Sequence, residues 1–147
     1  MLIRRADPPE YDEVTRVWMA GWESTGLGHA EDSSYEELQV KFRQQVSTVW
    51  DLHIAELDGR IAGLLALQPE QSQLDQLFLH PDFQGQGIGL ALMNHAKTSL
   101  PNGMWLRCAE KNYRAIRFYE KSGFRFERRE PRPEFDRFDV TYRWTPS

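Results

Sequence analysis

The sequence predicts an α/β fold: a mixed, mostly antiparallel sheet with a central parallel pair, flanked by helices. Three observations lead there. Apolar runs of strand length recur along the whole chain, helical periodicities separate some of them, and past the middle the two alternate as strand, helix, strand, helix. A strand–helix–strand unit favours a parallel pair with a helical crossover, whereas strands joined by short turns give antiparallel hairpins.

The elements follow in order. "LIRRA" reads as a first strand, and "DPPE" as a helix start with Asp7 at the N-cap, Pro8 at the first position and Glu10 three residues after the cap. Tyr11, Val14, Val17, Trp18, Gly21 and Trp22 then share one helical face. After the polar loop "ESTGLGHAEDS", Ser34 with Glu37 opens a second helix whose apolar face is Tyr35, Leu38, Phe42, Val46 and Val49. "DLHIAEL" and "RIAGLLALQ" flank Asp58-Gly59, a two-residue hairpin signal. "QLDQLFLH" is a further strand, ended by Pro81. From Ile88 a helical pattern runs to "PNG"; "MWLRCA" is a strand; "NYRAIRFYEKSG" is a helix with Asn112 at the cap and Gly123 at the stop. "FRFERRE" and "FDRFDVTYRW" form a closing hairpin in which Phe138, Val140, Tyr142 and Trp144 alternate.

No repeat, linker or low-complexity run divides residues 1–147, so one domain is expected. Hydrophobic residues make up 40% and charged residues 27%, a globular composition. The net charge of −4 argues against a general nucleic-acid binder, which needs a basic footprint. No stretch approaches the ~20 apolar residues of a membrane span, and "MLIRRADPPEYDE" has no apolar leader run, so no membrane partner and a cytoplasmic location are expected. With a single cysteine, Cys108, and histidines 29, 53, 80 and 95 outside any ligand spacing, no metal is expected.

The chemistry concentrates in "HPDFQGQGIGLALM", where Gly85, Gly87 and Gly89 lead from a strand into a helix. The first N–H groups of a helix lack internal partners and the helix dipole favours negative charge there; glycines let the backbone approach a phosphate closely. The spacing is neither a Walker A loop, which needs a following Lys-Ser or Lys-Thr, nor the G-x-G-x-x-G of a dinucleotide fold.

"LFLHPDFQGQGIGLALM" resembles the acyl-CoA loop of the GNAT N-acetyltransferase superfamily, Q/R-x-x-G-x-G/A after a strand, with Gln84, Gly87 and Gly89 at the patterned positions. "AEKNYRAIRFYEKSGF" resembles the family's second segment through Asn112, Tyr119 and Gly123-Phe124. The resemblance implies a GNAT-like fold and acetyl-CoA as cosubstrate. It implies that backbone N–H groups of Gly85, Gln86, Gly87, Ile88, Gly89 and Leu90 hold the diphosphate, that Leu77 and Leu79 contact the pantetheine through their backbones, and that Asn112 bonds the cofactor arm. Tyr119 would sit by the thioester sulfur and give its proton to the departing thiolate.

For the general base, Asp75 lies two residues before Leu77 and by strand parity faces the same cleft unless a bulge intervenes. Glu23, His29 and Glu31 border the loop that forms the acceptor wall in the family; a water relay is a further option, and His80 reads as a turn residue. Family members acting on protein N-termini carry a glutamate at the position of Arg107. The cation here points either to a different acceptor, such as one with a carboxylate, or to an ordinary surface arginine. Lys111, Arg114, Arg117 and Lys121 give the last helix a basic face that meets solvent or CoA phosphates, and Trp18 and Trp22 read as core. The expected activity is acetyl transfer to a small-molecule amine, with a protein lysine acetyltransferase or a non-catalytic acyl-CoA sensor as alternatives. The apolar face of the C-terminal strands would suit a homodimer.

Overall fold

The chain builds a seven-stranded sheet in the order β1-β2-β3-β4-β5-β7-β6. The computed structural model describes residues 1–27 and 34–147. The strands are β1 (Leu2–Arg5), β2 (Asp51–Leu57), β3 (Arg60–Gln68), β4 (Gln73–Leu79), β5 (Met104–Ala109), β6 (Arg125–Arg132) and β7 (Arg137–Trp144). The helices are α1 (Tyr11–Ser24), α2 (Tyr35–Thr48), α3 (Ile88–Ser99) and α4 (Tyr113–Lys121). Every neighbouring pair is antiparallel except β4–β5, the strand pair that flanks the α3 crossover. This matches the architecture expected of the sequence.

Local chemistry sets the element ends. Pro8, Pro69, Pro81 and Pro133 each open a short 3₁₀ turn, where a fixed φ helps and no N–H is needed. Ser34 Oγ accepts from the Glu37 N–H at 3.2 Å and caps α2. Asp58 and Gly59 take φ of 52° and 74°, the left-handed pair that turns β2 into β3. Arg4 donates to Glu10 at 2.7 and 2.8 Å and to Glu56 at 2.9 Å, tying β1 to β2 and to the start of α1.

Two apolar cores lie on opposite faces of the sheet. One packs α1 and α2 through Val14, Trp18, Leu38 and Phe42 against Trp50, Ile54 and Leu64. The other packs α3 and α4 through Ile88, Leu92, Met93 and Tyr119 against Leu65, Leu106 and Tyr142. Val49 departs from the expected face: α2 ends at Thr48 and Val49, at its C-cap, is 42% exposed. The alternation expected in β7 also breaks. Asp139 through Thr141 and Tyr142 are all buried because β7 lies inside the sheet, covered on both faces.

Candidate active site

The parallel pair is joined only at its start. Gln73 pairs with Trp105, the Trp105 N–H reaches Ser72 O at 3.0 Å, and beyond that point β4 and β5 diverge. The gap is a cleft of about 650 Å³ bounded by β4, β5, the end of α1, the glycine loop, the start of α4 and the β6–β7 turn.

The open edge of β4 carries uncommitted backbone groups. The His80 N–H bonds Ala62 O on β3 at 2.8 Å. Strand alternation then directs the N–H and C=O of Leu79 and Leu77 to the other edge, into the cleft, while their side chains pack on the α3 side. An extended ligand arm lying there would find strand-like partners.

At the C-terminal end of β4 the turn Pro81–Phe83 leads to Gln84, which borders the cleft, and then to the glycines. Gly85 and Gly87 both take φ of 80°, and a Cβ on either would meet nothing within 4 Å, so the space they vacate is open. Among the described residues, no backbone N–H from Gly85 through Leu90 donates to an acceptor of the chain; the first bond of α3 is Ala91 N–H to Gly87 O at 3.1 Å. No acidic side chain stands in its first turn. A row of free N–H groups at a helix N-terminus, with room in front of them, fits an anionic diphosphate. Gly85, Gly87, Gly89 and Leu90 line the cleft; Ile88 turns its side chain into the core and Gln86 stands exposed, leaving only their backbones to serve. Gly89 has ordinary helical geometry, and a Cβ there would make normal contacts of 3.7 Å with Leu79 and Phe118.

Asn112 and Tyr119 face the cleft from α4. Asn112 Oδ1 caps the helix by accepting the Ala115 N–H at 3.4 Å, a long bond that leaves its amide N–H₂ uncommitted. Tyr119 is 8% exposed, with its ring wedged between Phe118 and Phe124. Burial, with Cys108 beside it, pushes its phenol well above the ordinary value, so it stays protonated. Its hydroxyl bonds no other described residue. Cys108, also on the cleft, is pushed up to about 12 by burial and by nearby Asp139, and is a neutral, unreactive thiol at physiological pH.

Asp75 does not share a face with Leu77. Ala66 pairs with Gln76 and Leu67 with Leu74, so Asp75 is the extra residue of a bulge that resets the parity of β4. It borders the cleft, but its carboxylate accepts from Trp50 Nε1 at 2.8 Å, Gln68 Nε2 at 2.6 Å and Gln76 Nε2 at 3.1 Å. His80 caps its turn by accepting the Asp82 N–H at 3.1 Å, and Glu23 is exposed away from the cleft lining. His29 and Glu31 lie outside the described residues. Lys111, Arg114 and Arg107 do line the cleft, while Arg117 and Lys121 border a shallow groove along α4.

The sequence pattern gave no warning of the far wall. There Trp22 and Phe78 stack at 5.3 Å, and Arg132, Arg137 and buried Asp139 form the floor. No group of three or more His, Cys, Asp or Glu placed to hold a metal occurs among the described residues, and none of their helices is long and apolar enough to cross a membrane.

Known proteins are similar to this chain in sequence and in fold. Residues 11–124 match the model of the Acetyltransferase (GNAT) family. The peptidyl-lysine N-acetyltransferase YjaB of Salmonella typhimurium is 33% identical over 84% of this chain and 82% of its own length. A probable N-acetyltransferase of Mycobacterium tuberculosis is 35% identical over 98% of this chain and 84% of its own. The crystal structure of the PaiA N-acetyltransferase of Thermoplasma acidophilum in complex with coenzyme A superposes with a TM-score of 0.77, 20% identity, and coverage of 99% and 98% of the two chains. The chain whose β4 and β5 part above that glycine loop is thus an N-acetyltransferase that belongs to the GNAT family.

Proposed function

We propose that the protein transfers an acetyl group from acetyl-CoA to a primary amine of a small molecule, by direct attack with donor and acceptor bound together. The observation that carries this reading is the run of free N–H groups from Gly85 to Leu90 opening on an empty space beside the bare edge of β4. The loop holds the diphosphate, Leu77 and Leu79 hold the pantetheine arm as a strand would, and the Asn112 amide bonds it from α4. An N–H on the Leu77–Leu79 edge polarises the thioester carbonyl, where donors fixed in place stabilise the developing oxyanion. The amine nitrogen bonds the carbonyl carbon, the C–S bond breaks, and Tyr119 gives its proton to the departing thiolate. Asp75, with three donors on its carboxylate, serves in this reading as an anchor for Trp50 and Gln76, and the amine loses its proton to solvent.

A second reading, transfer to a lysine side chain of a protein or peptide, is favoured by the relatives named peptidyl-lysine N-acetyltransferase in Salmonella typhimurium and Escherichia coli. Thiol release from acetyl-CoA, followed with a panel of small amines and with lysine-containing peptides, separates the two. The small-molecule reading expects saturable turnover of at least one free amine. Turnover confined to peptides overturns it in favour of the second, and saturable coenzyme A binding with no turnover on any acceptor leaves a sensor.

A further inference from the structure

The wall opposite the glycine loop contains a charge arrangement that the acetyl donor does not use. Asp139 is 3% exposed on β7 and accepts from Arg137 Nε at 2.9 Å and from Arg132 Nη1 at 3.0 Å. Two guanidiniums, each about three-tenths exposed, are thereby pinned at the cleft by one buried carboxylate. Arg132 also donates through Nε to the exposed Glu134 at 2.5 Å. Among the described residues, both terminal nitrogens of Arg137 and Nη2 of Arg132 have no acceptor.

A second feature points to the same place. The Arg137 guanidinium lies 6.0 Å from the centre of the Trp22 ring, and Trp22 Nε1 is buried with no hydrogen-bond partner among the described residues. A buried indole N–H without an acceptor is costly, so a native site that leaves one open has a place for an oxygen. Trp22, Arg137 and Arg132 line the same cleft, and each keeps at least one donor without an acceptor among the described residues.

This wall lies on the α1/α2 side of the sheet. Trp22 and Phe78 pack against that core, whereas the glycine loop runs into α3 on the other face. An anion held here is therefore separate from the CoA diphosphate and belongs to the acceptor. Its charge and shape follow from the partners. Asp139 and the exposed Glu134 together balance the two guanidiniums, so what draws an anion is the unfilled donor fork of Arg137, whose geometry matches the two oxygens of a planar carboxylate.

We infer that Arg137, Arg132 and the Trp22 indole N–H form a carboxylate-binding subsite, so that the acceptor is an amine that also carries a carboxylate. This rests on the acetyltransferase reading above and names the substrate class of that site. The carboxylate oxygens accept from Arg137 and Trp22, and the free amine is turned toward the β4–β5 gap, where the thioester carbonyl lies in that reading. Asp139 acts as a positioning residue and does not touch the acceptor.

The test is thiol release at saturating acetyl-CoA with ω-amino acids from glycine to 5-aminovalerate, each paired with the alkylamine of the same chain length. At one chain length the amino acid is expected to exceed its amine in kcat/KM by about tenfold or more, a typical share for one charge-assisted contact. Arg137→Gln lowers that ratio at least about fivefold, chiefly through KM, and Arg137→Lys restores part of it. Trp22→Phe, which keeps the ring and removes only the N–H, lowers the ratio by a smaller factor and stands independently of any folding defect in the arginine variant. A ratio near one at every chain length overturns the subsite while leaving the acetyltransferase reading intact. So does an Arg137→Gln or Trp22→Phe enzyme that acetylates acid and amine with an unchanged ratio, or turnover restricted to lysine peptides. Absence of all acetylation by protein that binds coenzyme A overturns both.

Discussion

The two ends of the cleft are made of different material. At the proposed donor end the groups open to a ligand are backbone N–H atoms from Gly85 to Leu90 and the free edge of Leu77 and Leu79, with side chains kept out of the way. At the proposed acceptor end they are side chains, Arg132 and Arg137 held in place by one buried carboxylate, with Trp22 beside them. A backbone site constrains the sequence through what must be absent, since only glycine tolerates the dihedrals and leaves the space. A side-chain site constrains it through residues brought together from distant elements, here the end of α1 and a turn more than a hundred positions later. The donor end suits a ligand that is the same in every turnover, and the acceptor end suits a variable one.

The difference is sharpest in a substitution at Gly87. Valine there must adopt a φ of 80°, which a β-branched residue scarcely tolerates, and its methyls would occupy the space in front of the free N–H groups. Gly87→Val is expected to weaken coenzyme A binding by about a thousandfold, or ~4 kcal/mol, measured by calorimetry on protein whose circular dichroism is unchanged. Binding within threefold of wild type would show that the loop does not hold the diphosphate.

The same difference decides what could be read from the sequence. Gly85, Gly87 and the Asn112 cap were legible because each answers a local demand, a left-handed φ or a helix cap, whereas helical periodicity alone reads Tyr119 as core and only the family resemblance singles it out. The central parallel pair followed from where helices interrupt strands. Asp75 borders the cleft as expected, but one bulge between Leu74 and Gln76 puts it on the opposite face of β4 from Leu77, and no residue there announces the bulge. Trp22 was read as core since helical periodicity cannot tell a residue that packs from one that packs and also lines a cleft. Arg132 and Arg137 each look like surface charges; only Asp139, a carboxylate in the middle of a strand interior to the sheet, marks their meeting point, and its burial is a tertiary fact.

Between the two ends stands Tyr119, whose proposed contribution is chemical more than adhesive. Tyr119→Phe removes one hydroxyl from a ring already packed by Phe118 and Phe124. The expected outcome is a fall in kcat of about a hundredfold, with coenzyme A affinity changed less than about threefold. Equal turnover would discard the acid role. The pH profile adds a second check. Because burial raises the phenol above its ordinary value near 10, the protonated form persists through that pH and is lost only as pH rises further. With an acceptor whose amine is already neutral, kcat should show no descending limb below about pH 10; a limb there would mean that the group titrates as an exposed phenol does.

The smallest of these effects tests the acceptor end from below. Asp139 faces two guanidiniums, and Asn in its place keeps one oxygen to accept a single bond while removing the charge that holds both. Since the arginines are partly solvated, the loss should be modest, about 1–2 kcal/mol in urea unfolding, where a fully buried pair would lose more. Coenzyme A affinity should stay within about twofold, because nothing in the Gly85–Leu90 backbone contacts this network. A loss of stability without a loss of donor affinity means that the two ends are energetically separate, so that the acceptor wall can change its side chains while the donor loop stays fixed. If Asp139→Asn weakened coenzyme A as much as it weakened the fold, the cleft would be a single cooperative unit.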